Sequence, residues 1–264
     1  MFLRDVAADS QGKITPFSAE GTVALTFAHV GGLVVSPKTV STSWILDLRG
    51  TTTANFFDNV SSWPLTGNLR LDGFVYHFDI DISVPRHADQ RIAWVRRQGK
   101  ANFATQPYEQ LAKVLREDGD DAGARKVMIA MENDRLQSPT IGLWELFKGM
   151  VLRATIGYGY APWRVLWYIA ILLIAGTILF SHGPKRGWII STEDHPERYK
   201  PFNPFIYSLE TLLPLVDLYQ AKHWIPDTET RGGKNLRLYL WGHTLFGWFL
   251  ASMLIASVAG LVQK

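Results

Sequence analysis

Two long apolar stretches late in the chain contrast with an N-terminal half in which apolar and polar residues alternate. The stretches Val165–Phe180 and Leu238–Val262 contain no Asp, Glu, Lys or Arg. A membrane-spanning helix needs about 20 predominantly apolar residues. The second stretch exceeds that length, and the first reaches it if Pro162–Arg164 and Ser181–His182 lie in the headgroup layers. The pattern therefore predicts two transmembrane helices within a membrane domain of residues 165–264.

The N-terminal segment 1–84 contains an internal repeat of short strands. Val23–Phe27, Leu46–Gly50 and Leu69–Gly73 follow one another at a constant interval of 23 residues. Alternating apolar residues followed by glycine are typical of a strand with one buried face and a corner, although Phe27 replaces the glycine in the first segment. A fixed interval predicts the stacked coils of a short β-solenoid. An antiparallel meander with evenly spaced strands is the alternative.

Helical periodicity replaces the strand pattern between residues 85 and 140. Ala88–Gln98 has apolar residues at helical spacing with charges on the other face, and two amphipathic helices follow, Pro107–Asp118 and Asp120–Leu136. Pro107 is predicted at the first helical position, where its missing N–H would be unpaired anyway. Two such helices predict an αα-hairpin resembling one tetratricopeptide-type unit. We expect this hairpin to cap the open end of the solenoid.

The segment 141–164 is predicted to hold an interfacial helix and a linker. Leu143–Ala154 is apolar on one face but is interrupted by Glu145, Lys148 and Arg153, so it is too charged to span a membrane. A helix of this kind lies along a membrane surface with its Lys and Arg reaching the headgroups. Packing of the same face on the membrane domain is the alternative, and the sequence leaves both open.

Between the predicted spans, the apolar segment 204–219 carries two acids, Glu210 and Asp217, and a proline, Pro214. The acids make a full crossing unfavourable, so we predict a re-entrant or surface-lying helix that is broken near Pro214. In an oligomer, Glu210 and Asp217 would form carboxylate rings of a cation pore; the alternative is that both acids face water. His243 is the one His, Asp, Glu, Lys or Arg residue within either span, and intramembrane ionisable groups are candidate functional residues.

Composition removes several classes of function. The chain has no cysteine, which excludes disulfides, thiolate metal sites and thiol catalysis. The net charge of +3 comes without a basic stripe of interleaved aromatics, so no nucleic-acid partner is expected. No phosphate-binding, dinucleotide-binding, nucleophile-elbow or zinc-protease motif is present. The sequence therefore predicts no catalytic residue, no cofactor and no metal site.

Membrane orientation follows from the start of the sequence. Met1–Lys13 has early charges and lacks the apolar core of a secretory signal, so we expect the N-terminal half to be cytosolic and the loop Ser181–Arg237 to lie outside. The loop nevertheless carries more Lys and Arg than the residues just before the first span, which favours the opposite orientation. At this loop length the charge rule weakens.

The chain resembles a group of bacterial two-span membrane proteins. The resemblance covers most of the chain from about residue 40 and rests on these segments: LDLRG (Leu46–Gly50), SSWP and GNLRLDGFVY (within Ser61–Tyr76), RIAWVRRQ (Arg91–Gln98), QPYEQLAKVLREDG (Gln106–Gly119), ARKVMIAMENDR (Ala124–Arg135), GYGYAPWR (Gly157–Arg164) and NPFIYSLETLLPLVDL (Asn203–Leu218). The resemblance implies bactofilin- or pentapeptide-like solenoid rungs, a helical hairpin and a two-span tail in the bacterial inner membrane. Some members are labelled membrane-associated oxidoreductase.

The sequence thus predicts a multi-domain membrane protein: a short β-solenoid plus an α-helical hairpin, followed by an α-helical membrane domain with two transmembrane helices. Its expected function is to present a cytosolic interaction or scaffold domain at the inner membrane. The expected partners are the lipid bilayer and a protein partner or a homo-oligomer. An oligomeric ion-conducting pore or transport element and a membrane-associated oxidoreductase are the alternatives.

Overall fold

The computed structural model describes residues 2–4, 18–37, 39–77, 87–138, 141–193, 201–213 and 217–262. The chain divides into two compact units, Met1–Gly149 (unit 1) and Met150–Lys264 (unit 2). The boundary falls inside the predicted interfacial helix. The predicted solenoid and hairpin segments share unit 1, where a single hydrophobic core runs from Leu33 to Met131.

The strands of unit 1 form small parallel sheets. β1 to β8 are Phe2–Arg4, Ser18–Ala19, Thr22–Ala24, His29–Ser36, Thr39–Val40, Ile45–Asp47, Thr52–Asp58 and Leu69–Arg70. The sheet orders are β1-β4-β7, β2-β5 and β3-β6-β8.

The register of these strands confirms the 23-residue interval. Val23 pairs with Leu46, and Leu46 pairs with Leu69, in parallel ladders. β4 and β7 are parallel at the same interval, since His29 pairs with Thr52. Parallel strands cannot be joined by tight hairpins, so the antiparallel meander is wrong for these segments.

The corner after each repeated strand has a left-handed backbone. Phe27, Gly50 and Gly73 have φ angles of 58°, 66° and 76°. A Cβ atom at Gly73 would lie 3.2 Å from the Gly50 Cα atom, so glycine permits both the turn and the close stacking of corners. Phe27 takes the same conformation with a side chain, at a cost of about 1–2 kcal/mol.

Asp47, the last residue of β6, has a structural role. Its carboxylate accepts hydrogen bonds from Arg49 Nε at 2.9 Å and from Arg70 on the next strand at 3.3 Å. Burial alone would raise the pKa of the Asp47 carboxyl, but the hydrogen bonds and charges of the two arginines outweigh it and lower that pKa.

Three helices complete unit 1: α1 (Ala88–Val95), α2 (Gln106–Glu117) and α3 (Asp121–Arg135). The predicted hairpin is present in α2 and α3, which pack on each other. α2 begins one residue earlier than predicted, so Pro107 is its second residue. Proline is tolerated there because the first four N–H groups of a helix have no acceptor within the helix. Asp120 caps α3 by accepting a hydrogen bond from the Gly123 N–H at 2.7 Å.

Side chains of α2 bond to backbone groups beyond β8, the last strand of the β3-β6-β8 sheet. The Gly50 N–H donates to the Asp72 carbonyl of the following repeat, 2.9 Å away. The equivalent Gly73 N–H donates instead to the Gln106 side chain at 2.9 Å. The Gln110 amide donates to the Tyr76 carbonyl at 2.7 Å. Glutamine side chains on α2 thus replace a further strand.

A buried ion pair fastens α1 to β7, and it corrects the predicted charged face of this helix. The Arg91 guanidinium donates to both Asp58 carboxylate oxygens, at 3.0 and 2.6 Å, and both side chains are fully buried. The Trp63 indole N–H donates to the same carboxylate at 2.8 Å. Arg91 points inward because Asp58, at the end of β7, supplies the charge and geometry that a buried guanidinium needs.

The unit boundary divides α4 (Leu143–Thr155) after Gly149. Unit 2 then contains α5 (Trp163–Ser181), β9 (Ile189–Ser191), α6 (Pro204–Leu212), β10 (Trp224–Pro226) and α7 (Arg231–Val262). β9 and β10 form an antiparallel pair. Within the described residues, two segments are long and apolar enough to cross a membrane, Trp163–Arg186 and Arg231–Ala259.

The long helices differ from the predicted spans mainly at the start of the second one. α7 begins at Arg231 rather than Leu238, because hydropathy marks the apolar part of a helix and not its first turns. The Thr230 hydroxyl caps this start by accepting a hydrogen bond from the Gly233 N–H at 3.0 Å.

The predicted 204–219 helix is shorter than expected. α6 ends at Leu212, and Leu213 is extended with φ −108° and ψ 98°. Proline disfavours helical geometry in the residue before it, so Pro214 ends the helix instead of kinking it. Residues 214–216 lie outside the described residues.

Replacement of Arg91 by Met should destabilise unit 1 by about 3–5 kcal/mol, because it leaves the Asp58 carboxylate buried without its cation. The exposed Arg125→Met is the matched control, with an expected change within about 0.5 kcal/mol. The measurement is urea unfolding of the full chain in detergent, followed by hydrogen exchange of peptides from unit 1. Asp58→Asn added to Arg91→Met should recover part of the loss; equal unfolding midpoints for Arg91→Met and Arg125→Met would contradict this role.

Candidate functional site

Two of the buried polar side chains of unit 2, Ser208 and His243, meet between α5, α6 and α7. Ser208 on α6 and His243 on α7 are 0% and 2% exposed. They face the Leu173 carbonyl and Gly176 of α5, and Tyr239 lies one helical turn before His243. We call these five residues the His243 cluster. The structure therefore places the predicted site residue His243 at a three-helix junction.

The hydrogen bonds of the His243 cluster define one imidazole tautomer. Nε2 of His243 lies 3.2 Å from the Ser208 carbonyl oxygen, which can only accept, so Nε2 carries the proton. Nδ1 then accepts from the Tyr239 hydroxyl, 3.3 Å away. The Ser208 hydroxyl donates to the Leu173 carbonyl at 3.1 Å. A neutral imidazole therefore satisfies every member of the cluster.

This tautomer decides what the cluster can do chemically. A serine nucleophile needs a histidine nitrogen that accepts its proton, but Nε2 of His243 donates and the Ser208 hydroxyl is already bonded to Leu173. The arrangement ties helices together instead. Polar contacts of this kind between helices in a membrane contribute on average about 0.6 kcal/mol each. The cluster is therefore a structural junction and not a hydrolytic pair.

Close packing reinforces the junction. A Cβ atom at Gly176 would lie 2.3 Å from Ser208 Oγ and 2.8 Å from His243 Cε1. Phe180 of α5 makes edge-to-face contacts with Tyr207 and His243, with ring centroids 4.9 and 5.8 Å apart. Small residues let helices approach closely in membranes, so Gly176 is the position that permits the polar contacts.

Glu210 and Asp217 do not join the His243 cluster. The Glu210 carboxylate accepts the backbone N–H groups of Gln220 and Ala221 at 2.8 and 3.1 Å. Asp217 pairs with Lys222. The hydrogen bond from Lys222 and the Tyr219 N–H lower the pKa of the Asp217 carboxyl. Glu210 therefore fastens the returning segment 217–222 beside α6, and Asp217 forms an ion pair within that segment.

Sequence reasoning missed Ser208 and Gly176 as partners of His243. Their signal is weak, because a serine and a glycine in apolar helices are common and carry no charge. Across the residues that the structure covers, no three His, Asp or Glu side chains are grouped closely enough to hold a metal ion. Comparisons of the chain with protein-family models, with curated proteins and with solved structures gave no match.

Gly176→Ala should weaken the packing of unit 2 by about 1–3 kcal/mol, because the added methyl group collides with Ser208 and His243. Gly242→Ala is the matched control in a helix, since a Cβ there meets nothing within 4 Å. Thermal unfolding of both variants in detergent is the measurement. Ser208→Ala added to Gly176→Ala should restore part of the loss by removing the nearest atom. A Gly176→Ala variant as stable as Gly242→Ala would contradict the close approach.

Proposed function

We propose that the protein is a membrane-anchored interaction module. In this proposal, unit 1 is a short β-solenoid with a helical cap, and α5 and α7 cross the inner membrane. The constant register of β3, β6 and β8, together with that of β4 and β7, supports the solenoid. The glutamine contacts of α2 with the last coil support the cap.

The outer surfaces of the long helices support the membrane crossing. Ile171 and Ile174 on α5 are each 60% exposed, and Leu245 on α7 is 71% exposed. An apolar surface of this extent is unfavourable in water and favourable in hydrocarbon. Leu143 and Trp144 on α4 are also exposed, which favours the membrane-surface interpretation of this helix over burial of its apolar face.

The position of α6 favours a re-entrant helix. Ser208 contacts the Leu173 carbonyl near the middle of α5. A Cβ atom on Gly247 of α7 would lie 1.8 Å from the carbonyl oxygen of Leu212, the last residue of α6. If α5 and α7 cross the membrane, α6 therefore enters it from the loop side with its C-terminal end foremost.

One observation carries the interaction role: β3 presents a strand edge. In the described part of the chain, β3 pairs with β6 on one side only. The Gly21 carbonyl and the Leu25 N–H bond towards β6, at 2.9 Å each. Along a strand these groups alternate in direction, so Thr22 and Ala24 direct theirs to the opposite edge. Both residues are exposed.

An exposed edge of this kind binds an extended segment of another chain through main-chain hydrogen bonds. Phe27, 79% exposed at the adjoining corner, adds apolar surface beside the edge. The proposed partner is therefore a protein segment, from another protein or from a second copy of this chain, that pairs with β3. At the opposite end of the stack, α2 bonds to the backbone of Gly73 and Tyr76.

The pore alternative is less well supported by these contacts. A carboxylate ring needs acids that are free to face a shared axis, whereas Glu210 and Asp217 are engaged by nearby N–H groups and Lys222. The oxidoreductase implied by the resemblance, and the resemblance itself, stay predictions.

Ala24→Pro tests the open edge without disturbing the stack. Proline removes an N–H that points away from β6, and edge strands tolerate it. Ala24→Ser keeps the N–H and is the matched control. A photo-crosslinking residue at Thr22 of the full chain in its membrane should give a protein adduct in the Ala24→Ser background and lose most of it in the Ala24→Pro background.

The adduct is identified by mass spectrometry as a second copy or as another protein. Hydrogen exchange of β6 and β7 checks that the stack is intact in both variants. An adduct of equal yield in both backgrounds would contradict pairing at β3, and so would the absence of any adduct in the control.

A further inference from the structure

A groove opens between the end of α5 and the beginning of α7. Its volume is about 680 Å³, within the range of cavities that bind small molecules. Ile178, Leu179, Leu236 and Tyr239 form apolar walls, and Arg186 and Arg231 lie at the same groove. The lining thus combines an apolar channel with two cations.

Within the part of the chain that the structure describes, no acid forms an ion pair with the two arginines. The residues that line the groove include no Asp or Glu. Among the described residues, neither Arg186 nor Arg231 takes part in an ion pair. The Arg186 guanidinium lies over the Trp188 ring, 4.7 Å from its centroid, and this cation–π contact positions it without neutralising its charge.

The start of α7 adds further attraction for an anion at the same place. Arg231 and Gly232 belong to its first turn, where N–H groups point outward and the helix dipole is positive. Gly232 has room for no side chain, because a Cβ atom there would lie 2.1 Å from the Trp188 indole nitrogen. The indole therefore packs directly on this first turn and brings Arg186 towards Arg231.

We infer that this groove binds one anionic phospholipid, with the headgroup phosphate at Arg186 and Arg231 and an acyl chain along the apolar walls. The inference rests on the proposed membrane crossing. With α5 ending at Ser181 and α7 beginning at Arg231, the groove then lies at the membrane surface and runs from headgroup depth towards the hydrocarbon. A soluble anion would use the arginines but leave the apolar walls without a ligand. Charge and shape together select a lipid.

The test is retention of lipid by the purified full chain. The protein is extracted into mild detergent, supplied with equal amounts of phosphatidylglycerol and phosphatidylcholine, and analysed by native mass spectrometry. The unchanged protein should retain phosphatidylglycerol in preference. Arg186→Gln with Arg231→Gln should lower this preference by roughly 30-fold, since each basic residue near a membrane surface contributes about 1 kcal/mol to binding of anionic lipid.

Lys185→Gln with Lys234→Gln is the matched control: both lysines are exposed, lie within three residues of the two arginines in sequence and do not line the groove. This control should change the preference much less than the arginine pair does if the groove is the site. An equal loss in both double variants would show general attraction to the loop and overturn the inference. Displacement of the retained lipid by excess glycerol phosphate, which has no acyl chain, would also overturn it in favour of a soluble anion.

Alkaline carbonate extraction of the same variants from membranes distinguishes failure of the lipid site from failure of the proposed membrane crossing. Protein that stays in the membrane but shows no preference for phosphatidylglycerol refutes the lipid site alone. Protein released by carbonate refutes the membrane crossing and the lipid site with it.

Discussion

Alternate residues of a strand direct their backbone N–H and carbonyl groups to opposite edges, so an inner strand needs a neighbour on each side, and this requirement shapes unit 1. β3, β6 and β8 bond to one another at an interval of 23 residues. Beyond β8, Gln106 and Gln110 of α2 bond to Gly73 and Tyr76 in place of a further strand. In the described part of the chain, β3 pairs with no strand other than β6. One constraint thus accounts both for the position of the helices and for the surface that we assign to a partner.

The same requirement governs the buried polar side chains of both units. Asp58 and Arg91 are tolerated in the core because their charges pair and the Trp63 indole donates a third hydrogen bond to the carboxylate. His243 and Ser208 are tolerated between apolar helices because the ring, the hydroxyl and the carbonyls form a complete set of hydrogen bonds. In each case a polar contact fixes which helix face is turned inward, where apolar packing alone would accept several orientations.

The features that could be predicted from the sequence are those encoded by local periodicity. The interval between Val23, Leu46 and Leu69, the hairpin of α2 and α3, and the two apolar helices each leave a repeated pattern. The contacts that could not be predicted join distant positions: Asp58 and Arg91 are 33 residues apart, and Ser208 and His243 are 35. A charged residue in an amphipathic helix normally indicates the exposed face. The sequence does not show that Asp58 is a buried partner for Arg91, so Arg91 is predicted on the exposed face of α1 instead of the buried one. Likewise, Glu210 and Asp217 suggested a pore because a hydropathy pattern does not reveal hydrogen-bond partners. In the structure, backbone N–H groups bind Glu210, and Lys222 pairs with Asp217.

The most direct test of a membrane-anchored module is the accessibility of single cysteines, since the chain has none of its own. Ser43 is exposed in unit 1, and Thr228 is exposed in the loop between α5 and α7. Each is replaced by cysteine and labelled in intact cells with a membrane-impermeant maleimide. We predict labelling at Thr228, and at Ser43 only after lysis. Labelling at Ser43 in intact cells would place the module outside the cytosol, and equal labelling at both positions would mean that the chain does not separate them across a membrane.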